Sequence, residues 1–91
     1  MESYKEVLKK EGFRHIYEWE DKPGTEYKPH AHKGRVSFYV VEGDITMNID
    51  GKETKVSKGE RVDVPVGVRH SGKVGLNGCK YIIGEDIEGD S

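Results

Sequence analysis

Apolar and aromatic residues alternate with polar ones along most of this chain, and glycine-containing turns interrupt the alternation at short intervals. In the first such stretch Phe13, His15, Tyr17 and Trp19 share one face of an extended chain. Short strands separated by turn signals roughly every 8–10 residues are typical of an all-β sandwich or barrel. Strands are predicted at 13–20, 26–28, 30–32, 36–41, 45–49, 53–56, 61–64, 70–74 and 80–83.

Glycine marks the predicted breaks between strands, at 42–44, 50–51, 58–59, 65–67 and 77–78. Asp50-Gly51 and Asn77-Gly78 are dipeptides that favour type I′ hairpin turns, because both central residues of such a turn take a positive φ. The glycines therefore punctuate a folded domain and do not indicate a flexible linker.

The residues before the first strand carry the signals of a short helix. Ser3 and Glu6 have the spacing of a capping box, in which each side chain accepts a hydrogen bond from the other's backbone N–H. Gly12 is suited to end the helix in the left-handed conformation. A chain of 91 residues allows one domain. We predict a short N-terminal helix over 1–12, a single domain over 13–84 and an acidic tail over 85–91.

Composition excludes several classes of protein. A formal net charge of −2 leaves no basic surface for nucleic acid, and no apolar run is long enough to span a membrane. The single cysteine, Cys79, rules out an intramolecular disulfide and a thiolate zinc cluster. We expect a soluble, cytoplasmic domain. Because only 33 % of the residues are hydrophobic, we also expect a thin core that a partner subunit or a bound metal stabilises.

Three histidines are candidate metal ligands. His30 and His32 are two residues apart, so on a strand both side chains leave the same face, with Cα atoms about 6.5–7 Å apart. Two imidazoles at that separation can bind one ion at metal–nitrogen distances near 2.1 Å. His70, which follows the turn at 65–69, is the best candidate for a third ligand.

Glycine, proline and histidine spacings around these residues resemble the two motifs of the cupin superfamily. The first motif, G-x5-H-x-H-x3-E-x6-G, is matched by Gly24, His30, His32 and Gly43. The second, G-x5-P-x-G-x2-H-x3-N, is matched by Gly59, Pro65, Gly67 and His70. The resemblance covers residues 24–74. It implies a small antiparallel double-stranded β-helix, a jelly-roll-like barrel, with a divalent metal (Fe, Mn, Ni, Zn or Cu) inside.

Two positions depart from the cupin motifs. Val36 stands where the first motif has a metal-binding glutamate, and Val74 stands where the second has an asparagine. The resemblance therefore implies a site of three neutral histidines without a carboxylate. Such a site leaves a divalent ion its full charge and an additional coordination position for water, O2 or a chelating substrate. Any general base must then come from another inward group or from the substrate.

Alternation along the strands, and for Arg69 its position next to His70, also predict what lines the site. We expect the pocket to include Val36, Phe38, Met47, Arg69, Cys79 and Tyr81. Tyr39 and Val41 then face outward and are candidates for the interface of a homodimer, the state usual in small cupins. Arg69 is the candidate for binding an anionic group of a substrate.

Three functions are compatible with this pattern. The first is a metal-dependent enzyme acting on a small molecule, with dioxygenase-type oxidation as the chemistry that an open three-histidine site favours. The second is a non-catalytic cupin that binds a small ligand or acts as a sensor, and the third is a cupin whose metal is purely structural. The catalytic residues and the native metal stay open at this level.

Overall fold

The computed structural model describes residues 3–86, which form one short helix and six antiparallel strands. The elements are α1 (Tyr4–Lys10), β1 (His15–Asp21), β2 (Glu26–His30), β3 (Val36–Ile49), β4 (Lys52–Ser57), β5 (Arg61–Val64) and β6 (His70–Glu85). The prediction of an all-β chain with a short N-terminal helix is confirmed. No helix in this part of the chain is long and apolar enough to cross a membrane.

Two long central strands, β3 and β6, organise the fold. The first half of β3 pairs with the end of β6, and β5 and β1 flank this pair. The second half of β3 pairs with the start of β6, and β4 and β2 flank that pair. Buried residues of both halves form one core cluster, as expected for a jelly roll. Within residues 3–86, β1 and β2 do not pair with β4 and β5, so the sheet stays open where a closed barrel was predicted.

Glycines 43 and 78 bend the two central strands instead of ending them. The β3–β6 register shifts between Val40 and Glu42 and again between Gly43 and Ile45. Gly43 (φ 76°) and Gly78 (φ 75°) are both in the left-handed region, and a Cβ on Gly43 would collide with the carbonyl oxygen of Gly78. The breaks predicted at 42–44 and 77–78 are therefore wrong: they are β-bulges within continuous strands.

The other predicted hairpin is present. Asp50 (φ 52°) and Gly51 (φ 85°) connect β3 to β4 between the paired residues Ile49 and Lys52. Two central residues with positive φ are the signature of a type I′ turn, which confirms the interpretation of the Asp-Gly dipeptide.

The N-terminal helix covers the outer face of the sheet. Its capping box forms as predicted, with Ser3 and Glu6 exchanging hydrogen bonds. Leu8, which is fully buried, packs in a second cluster that includes Tyr39 and Val41, and Tyr4 stacks on Tyr39 at a ring-centroid distance of 4.1 Å. Of the two residues predicted for a dimer interface, Tyr39 therefore contacts the chain's own helix and Val41 packs against the cluster that contains Leu8. The homodimer itself stays a prediction.

The end of the described chain is anchored to the domain. Glu85 is the last residue of β6, although the tail was predicted to start there. Asp86 accepts a hydrogen bond from the backbone N–H of Arg14 at 2.9 Å and one from the Arg35 guanidinium at 2.7 Å. The rest of the predicted tail, 87–91, and the first two residues of the predicted helix lie outside the described residues.

Candidate metal centre

The fold brings His30, His32 and His70 together. His30 ends β2 and His70 begins β6, where the two are Cα partners. His32 lies beyond the end of β2, so its predicted place on the same strand is wrong. The three rings nevertheless meet: centroid separations are 4.3–4.7 Å, and one potential ligand atom from each residue lies within 4.8 Å of the others.

Backbone carbonyls set the tautomers of two of these rings. His30 Nδ1 lies 2.6 Å from the Lys28 carbonyl oxygen, and His70 Nδ1 lies 3.2 Å from the Val68 carbonyl oxygen. A carbonyl oxygen can only accept a hydrogen bond, so each neutral ring carries its proton on Nδ1. Nε2 is therefore unprotonated and has a free lone pair. This arrangement orients Nε2 as a metal ligand.

The third ring, His32, has one nitrogen without a hydrogen-bond partner and its other nitrogen close to His30. Nδ1 of His32 is buried and has no hydrogen-bond partner among residues 3–86. Its Nε2 lies 3.2 Å from Nε2 of His30. For metal–nitrogen bonds of about 2.1 Å this separation corresponds to an N–metal–N angle of about 100°, between the octahedral and tetrahedral ideals. The three residues therefore fit a divalent transition metal ion.

Burial favours the metal-binding form of two of these rings. Burial, reinforced by the nearby His70 and His30, lowers the pKa of His32 below its usual value. Burial likewise lowers the pKa of His70, although the hydrogen bond to Val68 partly offsets this effect. Both imidazoles are consequently neutral at neutral pH, and a neutral imidazole is the metal-binding form.

A largely apolar cavity of about 510 Å³ adjoins the histidines, which form part of its wall. Four of the predicted pocket residues line it: Val36, Phe38, Met47 and Tyr81. Arg69 is not among the lining residues; it is exposed and borders a smaller cavity. Cys79 is not among them either. It is buried in the core, where burial raises the pKa of its thiol to about 11, so the thiol stays protonated at neutral pH.

A buried carboxylate that the sequence analysis missed holds one wall of this cavity. Asp21, 8 % exposed, accepts hydrogen bonds from Trp19 Nε1 (2.9 Å), the Tyr27 hydroxyl (2.6 Å) and the Tyr81 hydroxyl (2.9 Å). Burial and the bond to Asp21 raise the pKa of Tyr27 to about 12. The one sequence signal is that Asp21 lies two residues after Trp19 and so shares its face of β1.

A second carboxylate, Glu85, lines the cavity itself and was also missed. The Tyr17 hydroxyl donates to Glu85 Oε2 at 3.0 Å. Burial, with the charge and hydrogen bond of Glu85, raises the pKa of Tyr17 to about 12. Glu85 was predicted to belong to the acidic tail, and nothing local distinguishes it from the acids that follow.

Comparison with known families settles the classification. A family model described as "Cupin domain" matches residues 17–85, most of the chain. The chain belongs to the cupin family. No curated protein matches at a significant level.

Solved cupin structures resemble this one. The cupin domain of Cnp3 from Schizosaccharomyces pombe superposes with a TM-score of 0.73 at 19 % identity, over 80 % of this chain and 52 % of that one. An RmlC-like cupin from Shewanella frigidimarina gives 0.68 at 27 % identity, over 77 % and 63 %. A variant of salicylate 1,2-dioxygenase from Pseudoaminobacter salicylatoxidans gives 0.72 at 20 % identity, over 78 % and 22 %. The chain thus spans less than two thirds of each of these neighbours.

In this cupin the carboxylate of the first motif is replaced by an apolar wall. Val36 lines the cavity with the histidines, and its Cα partner on β6 is Glu85. Among the described histidines, cysteines and acids, the group close enough to share an ion contains His30, His32 and His70 without Glu85. Among the described residues, the carboxylate that lines the cavity is therefore on the strand beside Val36 and outside the ligand group.

Proposed function

We propose that this cupin is a small metalloenzyme that binds a divalent transition metal ion through His30, His32 and His70 and acts on a small, largely apolar molecule. The joint placement of the residues carries the proposal. Three potential ligand atoms lie within 4.8 Å of one another at the wall of an apolar cavity of about 510 Å³. A volume of this order is typical of sites for small molecules.

Dioxygenase-type oxidation is the reaction that these features favour. A divalent ion held by three neutral nitrogens supplies Lewis acidity and, when redox-active, oxygen chemistry. The chain's own residues orient the rings through the Lys28 and Val68 carbonyls and surround the substrate with apolar side chains. Val36 leaves the motif's carboxylate position without a ligand atom. The structural likeness to a salicylate 1,2-dioxygenase is compatible with this reaction.

A non-catalytic ligand-binding or sensor cupin is the second candidate, and the aromatic wall favours it. Tyr27 and Tyr81 both donate to Asp21, and burial raises the pKa of each hydroxyl well above neutrality. These hydroxyls stay protonated and fixed, so the wall shapes the cavity but supplies no base near pH 7. A rigid aromatic cavity of this kind suits binding as well as catalysis.

Metal analysis followed by oxygen uptake distinguishes the candidates. The protein is purified without added metal, its metal content is measured, and O2 consumption is followed with diketones, thiols and catechols. Iron or manganese with substrate-dependent O2 consumption supports the enzyme. Tightly held zinc, no O2 consumption and unfolding on chelation indicate a structural metal, whereas ligand binding without turnover indicates a binding domain.

The matched control is His15→Ala. His15 is exposed on β1 and belongs neither to the histidine cluster nor to the cavity wall. It should leave metal content and O2 consumption unchanged, whereas His30→Ala should abolish both. Equal metal content in the two variants would contradict the proposal.

A further inference from the structure

The charge of the cavity wall restricts what the cavity can bind. Of the described residues that line it, Glu85 is the one carboxylate, and none is lysine or arginine. The other polar groups are neutral side chains and the three imidazoles. A ligand carboxylate away from the histidines would therefore face a like charge and lack a cationic partner, which is costly in an apolar cavity.

Glu85 has unused capacity to accept hydrogen bonds. Its Oε2 accepts from the Tyr17 hydroxyl at 3.0 Å, the one hydrogen bond that this carboxylate makes with side chains of residues 3–86. A carboxylate has about four lone-pair sites, so acceptor positions remain for a ligand. Tyr17 fixes the orientation of the group, and Glu85 lies outside the set of histidines that could share an ion.

We propose that Glu85 is the residue that selects the substrate: it accepts a hydrogen bond from a hydroxyl group on an uncharged, apolar or aromatic molecule and disfavours free carboxylates. This inference rests on the proposed function, since the same cavity holds the substrate. The aromatic side chains of Trp19, Phe38 and Tyr81 contact the apolar part of the ligand. Glu85 selects ligands by the polar group that they carry.

Trp19 provides the measurement. It is the one tryptophan of the chain and lines the cavity, so a ligand that enters will change its fluorescence. The probes are benzyl alcohol and benzoate, which have nearly the same size and differ in charge and in hydroxyl donor. They are titrated into protein kept metal-free with a chelator. We expect benzyl alcohol to bind about tenfold or more tightly than benzoate, because benzyl alcohol gains a hydrogen bond to a charged acceptor whereas benzoate meets a like charge. Equal affinity, a preference for benzoate or no binding of either probe overturns the inference.

Glu85→Gln separates a role in selection from a role in folding. Removing the charge should weaken the binding of benzyl alcohol several-fold and tighten the binding of benzoate several-fold. An amide does not repel an anion, and it accepts a hydrogen bond less strongly than a carboxylate. A merely structural role would weaken both ligands together. Glu20→Gln is the matched control: it makes the same change in charge at an exposed position of β1 outside the cavity and should leave both affinities unchanged. An unchanged ratio of affinities in Glu85→Gln overturns the inference.

Tyr17→Phe keeps the test decisive if Glu85→Gln does not fold. It removes the hydroxyl that orients Glu85 and preserves the carboxylate charge. The preference against benzoate should persist while the affinity for benzyl alcohol changes at least threefold; loss of the preference contradicts the inference. All measurements are made without metal, so their failure is distinct from the absence of metal binding or O2 consumption, which concerns the proposed function.

Discussion

Replacing Val36 by glutamate tests directly whether the cavity binds a metal ion at the histidines. Val36 is half-buried, lines the cavity and is the Cα partner of Glu85 between β3 and β6. Partner residues of an antiparallel pair have Cβ atoms about 4.5–5.5 Å apart. The variant therefore places a second carboxylate beside the existing one in the same cavity.

The expected change in stability has opposite signs without and with metal. Two carboxylates about 5 Å apart in a partly solvated site repel by about 3 kcal/mol, so the metal-free variant should lose about 2–3 kcal/mol in free energy of unfolding. A divalent ion offsets this loss because the new carboxylate becomes an additional anionic ligand. Each tenfold tightening of binding adds about 1.4 kcal/mol to the stabilisation by a saturating ion. We expect the metal-dependent gain to exceed that of the parent protein by at least this amount.

Urea unfolding with chelator and with excess Zn²⁺ measures both effects. Val36→Gln is the matched control, since glutamine has the size of glutamate without its charge. It should show neither the repulsion nor the additional gain. If metal raises the free energy of unfolding of Val36→Glu and Val36→Gln equally, Val36 does not face a bound ion and the reasoning about the site is refuted.

Three further predictions concern the site and the fold. His70→Ala should abolish metal binding and lower the melting temperature of the metal-loaded protein, measured beside His15→Ala; unchanged metal content would show that His70 is not a ligand. Leu8→Ala should cost about 2–5 kcal/mol in free energy of unfolding because Leu8 is 0 % exposed, whereas Leu76→Ala, at 93 % exposed, should change it by less than about 0.5 kcal/mol. Asp86 has its pKa held below the usual value by a backbone hydrogen bond and a nearby guanidinium. The contribution of Asp86 to the free energy of unfolding is present above the pKa that it has in the unfolded chain and is lost as the pH falls through its pKa in the folded protein. The stability difference between the parent and Asp86→Asn should therefore shrink below pH ~4; a constant difference contradicts this.

Local signals predicted the parts of the fold that depend on neighbouring residues. The capping box of Ser3 and Glu6 and the turn at Asp50-Gly51 form as expected, since each is completed within a few residues. The glycines at 43 and 78 were misinterpreted because a turn and a bulge both require positive φ. What distinguishes them is the partner strand, which lies more than thirty positions away along the sequence and leaves no local trace.

The candidate site, like the fold, could be predicted from the sequence only in part. Motif spacing identified His30, His32 and His70, even though the argument from a shared strand failed for His32. Asp21 and Glu85 were missed because their importance arises from long-range contacts, such as the bond from Tyr81 to Asp21. Cys79 was placed in the pocket by alternation along its strand and Arg69 by its position next to His70, and neither signal specifies where a cavity ends.

The anchoring of three aromatic side chains on Asp21 has a consequence for how this binding site can be altered. That wall is constrained by hydrogen bonds from Trp19, Tyr27 and Tyr81, so a change in any one disturbs an acceptor shared with the other two. Met47 on β3 also lines the cavity but has no bond to Asp21, so its apolar contacts in the core can be altered without removing a donor from the shared carboxylate. Engineering of ligand scope should therefore target β3 and leave the tethered aromatics intact.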